Sequence, residues 1–416
     1  MKIIERSKMM EVVKTMKLRL YTSDKDNKLF DTLTRQYAKT CNFISQYVFD
    51  HQFILAYQTL QKALYQTVRS GYGLKAQMTI SAFKTVTARY KTVKEQLHQN
   101  PYVYKGEDGN RHYIAQTLDW LQKPVCFSRP QADLVRNRDY GFLQDGMLSI
   151  NTLGKRVKVR YAVPKYFESY FDGTWKFGTG KLVQLNHIWY FHIPMTKDMG
   201  DTFDVSTPSH VVGIDRGLRY LAVAYDEKGQ ARYFDGQSVL KRRERFNAVR
   251  AELQAKGTKS AKRVMKRLSG RENRWMADVN HQLSKTLVQS YGKDTLFVIE
   301  DLTGVSFDDK NLNRSNQGKH QLRSWTFYQL EQFLTYKAHE MGSDVLKVDA
   351  HYTSQRCPKC GRIHKDNRHH DTHEYICDCC GFRSNDDRTA AINIQFLGTM
   401  YVSGDTNPRF GARKSN

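Results

Sequence analysis

The sequence predicts a multidomain α/β protein: a β-rich barrel or sheet carrying a helical insertion, followed by a separate α/β unit. Three observations carry this. Strand-like alternation near the N-terminus resumes only after about residue 121, with amphipathic helical stripes between. From His210 onward, short apolar runs and helical stretches follow one another in the order of an α/β unit. The 416 residues suffice for several domains of roughly 150 residues each.

Met16, Leu18 and Leu20 alternate with Lys17 and Arg19, the period of a half-buried strand. After the turn-forming Ser23-Asp24, the residues Leu29, Leu33, Tyr37, Cys41, Ile44 and Val48 recur at helical spacing. A second helix is expected from about Phe53 to Arg69, ended by Gly71 and Gly73, and a third from the stripe Met78, Ala82, Val86, Tyr90, Val93 and Leu97. Between Pro124 and Met195 the texture turns to β: Val157, Val159 and Tyr161 alternate with basic residues, and Trp189, Phe191 and Ile193 with Tyr190 and His192. Two buried strands, Val211 to Ile214 and Leu221 to Ala224, then flank Asp215. A long basic helical stretch from Ser238 to Ser290 precedes the strand Leu296 to Ile299, a helix to Met341 and the strand Asp344 to Val348. Past Thr399 a disordered basic tail with Arg409, Arg413 and Lys414 is expected.

Lys and Arg number 66 against 42 Asp and Glu, a net charge of +24, while 40% hydrophobic residues exclude a disordered chain. A folded, strongly basic protein points to a polyanionic partner. No apolar run approaches the ~18 residues of a membrane span, and Met1 to Met10 carries charges where a signal peptide is apolar. A soluble, cytosolic protein with no membrane partner is therefore expected.

The charge is concentrated. Lys241 to Arg274 holds thirteen Lys or Arg and three Glu, a run whose self-repulsion an adjacent nucleic acid backbone would relieve. Arg242, Arg243, Lys262, Arg263, Lys266, Arg267, Arg271 and Arg274 are its candidate phosphate contacts.

Three acidic positions close apolar elements: Asp215 after Val211 to Ile214, Glu300 after Leu296 to Ile299, and either Asp386 or Asp387 ahead of the helical run from Thr389. Carboxylates gathered at strand and helix ends suit hard cations such as Mg²⁺. Two such ions ~3.5 to 4 Å apart would support phosphodiester cleavage. Asp301 is read as a turn acid.

Of seven cysteines, five lie at Cys357, Cys360, Cys377, Cys379 and Cys380. Two C-x-x-C-G turns 16 residues apart predict a structural Zn²⁺ held by Cys357, Cys360, Cys377 and Cys380. Cys379 falls out of register; His364, His369, His370 and His373 are read as exposed hairpin residues, and Cys41 and Cys126 as core thiols.

Gly213-Ile214-Asp215-Arg216-Gly217, Val298-Ile299-Glu300-Asp301-Leu302, Tyr352 through Gly361 and Cys377 through Asp387 to Asn393 together resemble the TnpB family. These are RNA-guided DNA endonucleases of insertion sequences, related to the compact type V CRISPR effectors. The helix Trp325 to Met341 is similar to the family's as well. The resemblance implies an RNase H-like (RuvC) nuclease domain with an inserted zinc ribbon, in which Asp215, Glu300 and Asp387 bind catalytic Mg²⁺. The residue before the last acid is usually Ala and is Asp386 here; the residue two beyond is usually Asn and is Thr389 here.

The same likeness divides the chain into a wedge barrel at 1–26 and 121–204, a helical recognition domain at 27–120, RuvC-like parts at 205–350 and 384–398, a zinc-ribbon target-binding domain at 351–383 and the tail 399–416. Gln77, Ser81 and Lys84 on the third helix are expected to face the short target-adjacent motif. The implied partners are a guide RNA and double-stranded target DNA, with one protein copy per complex. Competing readings are an RNA-guided DNA binder without cleavage, which the intact acidic trio opposes, a transposase-associated protein acting without RNA, and a zinc-ribbon nucleic acid chaperone.

Overall fold

The computed structural model describes residues 11–200, 203–302, 327–369 and 371–411. These divide into two compact units, one spanning residues 13–197 and the other from residue 198 to the C-terminal side together with residues 11–12. The expectations placed on Met1 to Met10, Trp325, His370, Arg413 and Lys414 fall outside the described residues.

In the first unit, strand β1 (Glu11–Tyr21) leads into helices α1 (Asp24–Asp50), α2 (Tyr57–Tyr72) and α3 (Ala76–Gln99). Ser23 begins α1 through a reciprocal capping box with Asp26, which satisfies two helix-end donors. Helix α2 starts later than its sequence suggested and ends at Gly73, whose φ of 64° is the left-handed conformation glycine adopts at a helix end. Gly71 stays inside the helix.

Next comes a hairpin of β2 (Tyr102–Lys105) and β3 (Arg111–Ile114), followed by a short 3-10 turn at Leu118–Trp120, so the segment 101–120 is not a continuation of the helices. The remaining strands are β4 (Gln131–Leu134), β5 (Tyr140–Phe142), β6 (Leu148–Ile150), β7 (Val157–Ala162), β8 (Lys176–Phe177), β9 (Gly180–Leu185) and β10 (Ile188–Asp198). They join β1 in the order β4-β9-β10-β1-β7-β6-β5, with β8 also on β10. A bridge between Arg136 and Tyr140 brings the two ends of this path together, giving a nearly closed barrel. Alternation fills its interior with Met16, Leu18, Leu20, Trp189, Phe191 and Ile193, and Phe30 of α1 meets Trp189 edge-on at 5.5 Å.

The second unit is built on a five-stranded mixed sheet. Its strands are β11 (His210–Asp215), β12 (Tyr220–Tyr225), β13 (Ala231–Asp235), β14 (Thr295–Glu300) and β15 (Asp344–Val348), in the order β13-β12-β11-β14-β15. The first three pair antiparallel, and β11, β14 and β15 run parallel. One face, with Val212, Ile214, Ala222, Phe297 and Ile299, packs on helices α5 (Lys259–Tyr291) and α6 (Phe327–Glu340). The opposite face, with Val211, Leu296 and Val298, is covered by α7 (Asp386–Val402) through Ile394 and Leu397. The expected basic helical stretch consists of two helices: α4 (Gln237–Lys256) ends at Gly257, φ 62°, and Thr258 caps α5.

Helix α7 lies directly on Gly213, where a Cβ would stand 2.3 Å from both the Ala391 carbonyl and the Gln395 amide. Neither backbone group can yield as a side chain can. We expect Gly213→Ala to cost at least about 1–3 kcal/mol, as overpacking does, and to push α7 off the sheet; thermal denaturation measures it.

The tail is ordered further than expected, since α7 runs to Val402 and Phe410 stacks on Phe396 at 6.2 Å, with the Arg356 guanidinium over its ring. Cys41 is buried as anticipated, but Cys126 is exposed. No helix among the described residues is long and apolar enough to cross a membrane.

Candidate active site

Asp215 and Glu300 end two adjacent parallel strands, in register from His210↔Thr295 to Ile214↔Ile299. They therefore stand side by side on the α7 face, roughly one strand spacing of ~4.8 Å apart. A small sheet beside the cysteine knuckles leads to the third acid. Its strands are β16 (Arg368–His369), β17 (Glu374–Ile376) and β18 (Arg383–Asn385), and β18 runs straight into α7. Asn385 caps α7 by accepting a hydrogen bond from the Arg388 amide. Asp386 and Asp387 occupy the first turn, where the helix dipole favours carboxylates.

All three predicted acids thus meet at one place, and their electrostatics reflect it. Asp215 is held well above the usual carboxylate range, first by burial and then by the charges of Glu300 and Asp387. Burial also raises Glu300, against a 2.5 Å hydrogen bond from the Thr353 hydroxyl and the charges of Arg216 and Arg368. Asp387 is raised by burial and by its neighbour Asp386.

Asp386 and Asp387 differ in their partners. Asp386, fully buried, accepts from the Arg368 Nε at 2.9 Å and from the Asp387 amide, whereas Asp387 is the stronger of the two at Asp215.

The sequence pointed to no role in the site for several residues found there. Arg368 reaches in from the ribbon, its Nη2 3.4 Å from Asp387. Arg216 is buried, donates to the Glu300 main-chain carbonyl at 2.6 Å and pairs with Glu331 at 3.6 Å. Asn393 of α7 donates to the carbonyls of Thr353 and Arg356, each at 2.8 Å, tying the Thr353 turn to the helix. Asp301, read as a turn acid, pairs with Lys347 at 3.5 Å.

In the ribbon, the Sγ atoms of Cys357, Cys360, Cys377 and Cys380 all lie within 4.8 Å of one another. The Cys357–Cys380 and Cys360–Cys377 separations are 3.6 and 3.5 Å. Tetrahedral bonds of ~2.3 Å to zinc require sulfur edges of about 3.8 Å, so the cage fits that ion. Each knuckle closes the same way: Gly361 and Gly381, both at positive φ, donate to the Cys357 and Cys377 carbonyls. The Arg362 amide draws the Cys360 thiol down to about 7, towards the thiolate a metal needs. Cys379 is exposed and outside the cage. Among the described histidines, His373 comes 3.7 Å from Asp386 instead of joining the cysteines.

The basic contacts divide. Arg242, Lys262, Arg263, Lys266, Arg267, Arg271 and Arg274 are exposed, with Arg242 over the Trp275 ring at 4.6 Å. Arg243 is buried on α4, within the influence of the Glu272 charge on α5, which leaves it unavailable as a phosphate contact. On α3, Lys84 is exposed and Gln77 accepts from Arg138 at 2.6 Å. Ser81 is buried, because that helix packs on more of its circumference than one stripe implied. It cannot face DNA.

Residues 327–394 match the model of the Cas12f1-like TNB domain, and residues 192–304 that of a family described as "Probable transposase". Cas12f1, a CRISPR-associated endodeoxyribonuclease of Syntrophomonas palmitatica, is 29% identical over 52% of this chain and 43% of its own length. Its namesake from Sulfoacidibacillus thermotolerans is 24% identical over 82% of both chains. The TnpB-like protein MJ0751 of Methanocaldococcus jannaschii is 29% identical over 36% of this chain and 57% of its own. The match to the first and third of these thus spans about half of their length. The chain is thus similar to TnpB-like and Cas12f1 proteins, over its C-terminal half in particular.

Proposed function

We propose that this chain is an RNA-guided, Mg²⁺-dependent DNA endonuclease. In this reading a guide RNA docks on the barrel and helices, target double-stranded DNA is opened beside a short motif, and one RuvC-like site cuts both strands. The observation that carries it is the convergence of the half-buried Asp215, Glu300 and Asp387, with the charges of Glu300 and Asp387 both raising Asp215. Acids so placed fit hard divalent cations, whose charge would favour their ionised forms.

Asp215, Glu300 and Asp387 would hold the ions, and Mg²⁺ bound there supplies Lewis-acid polarisation of a phosphodiester and a more acidic water. The protein's own groups do the positioning. Thr353 fixes the Glu300 carboxylate and Arg216 its main chain. Arg368 neutralises Asp386 and sets a guanidinium beside Asp387, where an approaching phosphoryl group would meet a cation.

The test is cleavage of a plasmid matching the RNA that copurifies with the protein. Cleavage should require both Mg²⁺ and that RNA; activity that survives RNase treatment would instead indicate a transposase acting alone, and RNA-dependent binding without nicking a guided binder.

The exposed cations of α5 should add electrostatic affinity whatever the sequence. Replacing Lys262, Arg263, Lys266 and Arg267 by Gln is expected to flatten the dependence of log affinity on log salt by up to ~0.9 for each phosphate the helix no longer neutralises. Fluorescence anisotropy across a salt series measures it, and an unchanged slope removes this helix from the interface.

A further inference from the structure

Beside the carboxylates lies a rim of cations and tyrosines that their chemistry does not use. Arg219 sits in the turn between β11 and β12, its carbonyl accepting from the Gly236 amide at 2.7 Å. That approach needs glycine, since a Cβ at 236 would stand 2.3 Å from the Leu218 carbonyl and 2.8 Å from that of Arg219. The turn therefore holds Arg219 in place. Its guanidinium lies over the Tyr220 ring at 5.4 Å, its Nη1 is buried with no hydrogen-bond partner among the described residues, and its charge acts on Asp387. A buried donor left unmade is unfavourable; an oxygen from outside the protein would satisfy it.

Arg388, next after Asp387 on α7, lies over Tyr225 at 5.3 Å and donates to the Ser384 hydroxyl at 3.2 Å. Tyr233, on the edge strand β13, completes the rim. Asp215 is in register with Val223, and Val223 with Tyr233. Residues opposite one another share a face, so Tyr233 stands on the same side as Asp215, two strands or ~10 Å away. It is 43% exposed, and its ring is 5.0 Å from that of Tyr220.

We propose that Arg219, Arg388 and Tyr233 form a binding step for a single DNA strand at the carboxylate site, the guanidiniums taking phosphates next to the one to be cut and Tyr233 stacking an unpaired base. Only a strand released from its duplex exposes a base face to the tyrosine, and stacking tolerates any sequence. The step would explain how a site read by pairing to RNA can cut any target. It deepens the endonuclease reading and rests on it for what happens to the bound strand.

The experiment uses the full chain with its copurified RNA, carrying Asp215→Asn so that binding is read without cutting, and an oligodeoxynucleotide containing 2-aminopurine. Tyr233→Ala should weaken binding about fivefold to a hundredfold, the range for losing one stacked base, and should abolish the quenching of 2-aminopurine. Tyr233→Phe should keep both affinity and quenching. Arg219→Gln should weaken binding and reduce the slope of log affinity against log salt by about 1. Unchanged affinity and quenching in Tyr233→Ala, or equal losses in Tyr233→Phe, overturn the inference. The endonuclease reading is judged separately, by plasmid cleavage with Asp215 intact, so strand binding without cleavage would sink that reading and leave this one standing.

Discussion

Asp215→Asn should abolish cleavage while making the metal-free protein more stable, two opposite effects of one nearly isosteric change. Losing a single group that stabilises charge in a hydrolytic site costs about 10²–10³-fold in rate, and a carboxylate that shares in holding the metal should cost no less. The stability gain follows from the surroundings. Asp215 is half-buried, and desolvation together with the charges of Glu300 and Asp387 presses its carboxyl towards the protonated form. A carboxyl whose pKa is raised on folding holds its proton in the native state after the unfolded chain has released it. It therefore favours unfolding increasingly as pH climbs from about 4, the unfolded value, towards its higher native value.

Removing that group should raise the melting temperature of the metal-free protein, and more at pH 8 than at pH 4. Mg²⁺ should stabilise the unsubstituted protein most at the higher pH, where the acids are charged, and should do so much less in the variant. Calorimetry across pH, with and without Mg²⁺, reads both. A variant that still nicks, or that melts lower at pH 8 with Mg²⁺ absent, contradicts this account of the site.

What could be seen in the sequence was what depends on neighbours along the chain. Asp215 and Glu300 stood out because each closes a buried strand, and the zinc cysteines because a knuckle is local by construction. Alternation and helical stripes revealed the barrel strands and the helices for the same reason. What could not be seen depends on residues meeting from afar. Arg368 lies in a hairpin crowded with histidines and finds Asp386 only once that hairpin folds back. Thr353 reaches Glu300 across a strand crossover.

The misreadings have the same origin. Ser81 and Arg243 were polar on one helical stripe, yet a second packing surface covers each. Tyr102, Tyr104 and Trp120, which cluster on and beside the unanticipated hairpin, follow too short a pattern to distinguish from loop.

The second large effect should come from the zinc cage, although no cysteine touches the carboxylates. Strand β18 leaves the ribbon two residues after Gly381 and becomes the cap of α7, so the ribbon sets where Asp386 and Asp387 begin. Strand β16 of the same small sheet delivers Arg368 to both of them. The buried ribbon residues that pack together are few, Cys357, Tyr375 and Cys377, with Cys380 and Phe382 beside them. A core of that size cannot hold three short strands against the loss of chain entropy, while structural zinc contributes about 10–16 kcal/mol to isolated finger peptides.

Cys377→Ser, or a zinc-selective chelator used with Mg²⁺ in excess, should therefore unfold the ribbon and withdraw Arg368 and Asp387. Asp215 and Glu300 would stay in place on β11 and β14. Cleavage should fall to background even though two of the three acids remain correctly placed. Hydrogen exchange should show protection lost across residues 357–387 and kept in β11, β12 and β14, and added Zn²⁺ should restore both protection and cutting in the chelated protein. Full activity without zinc would mean that α7 fixes the third acid unaided.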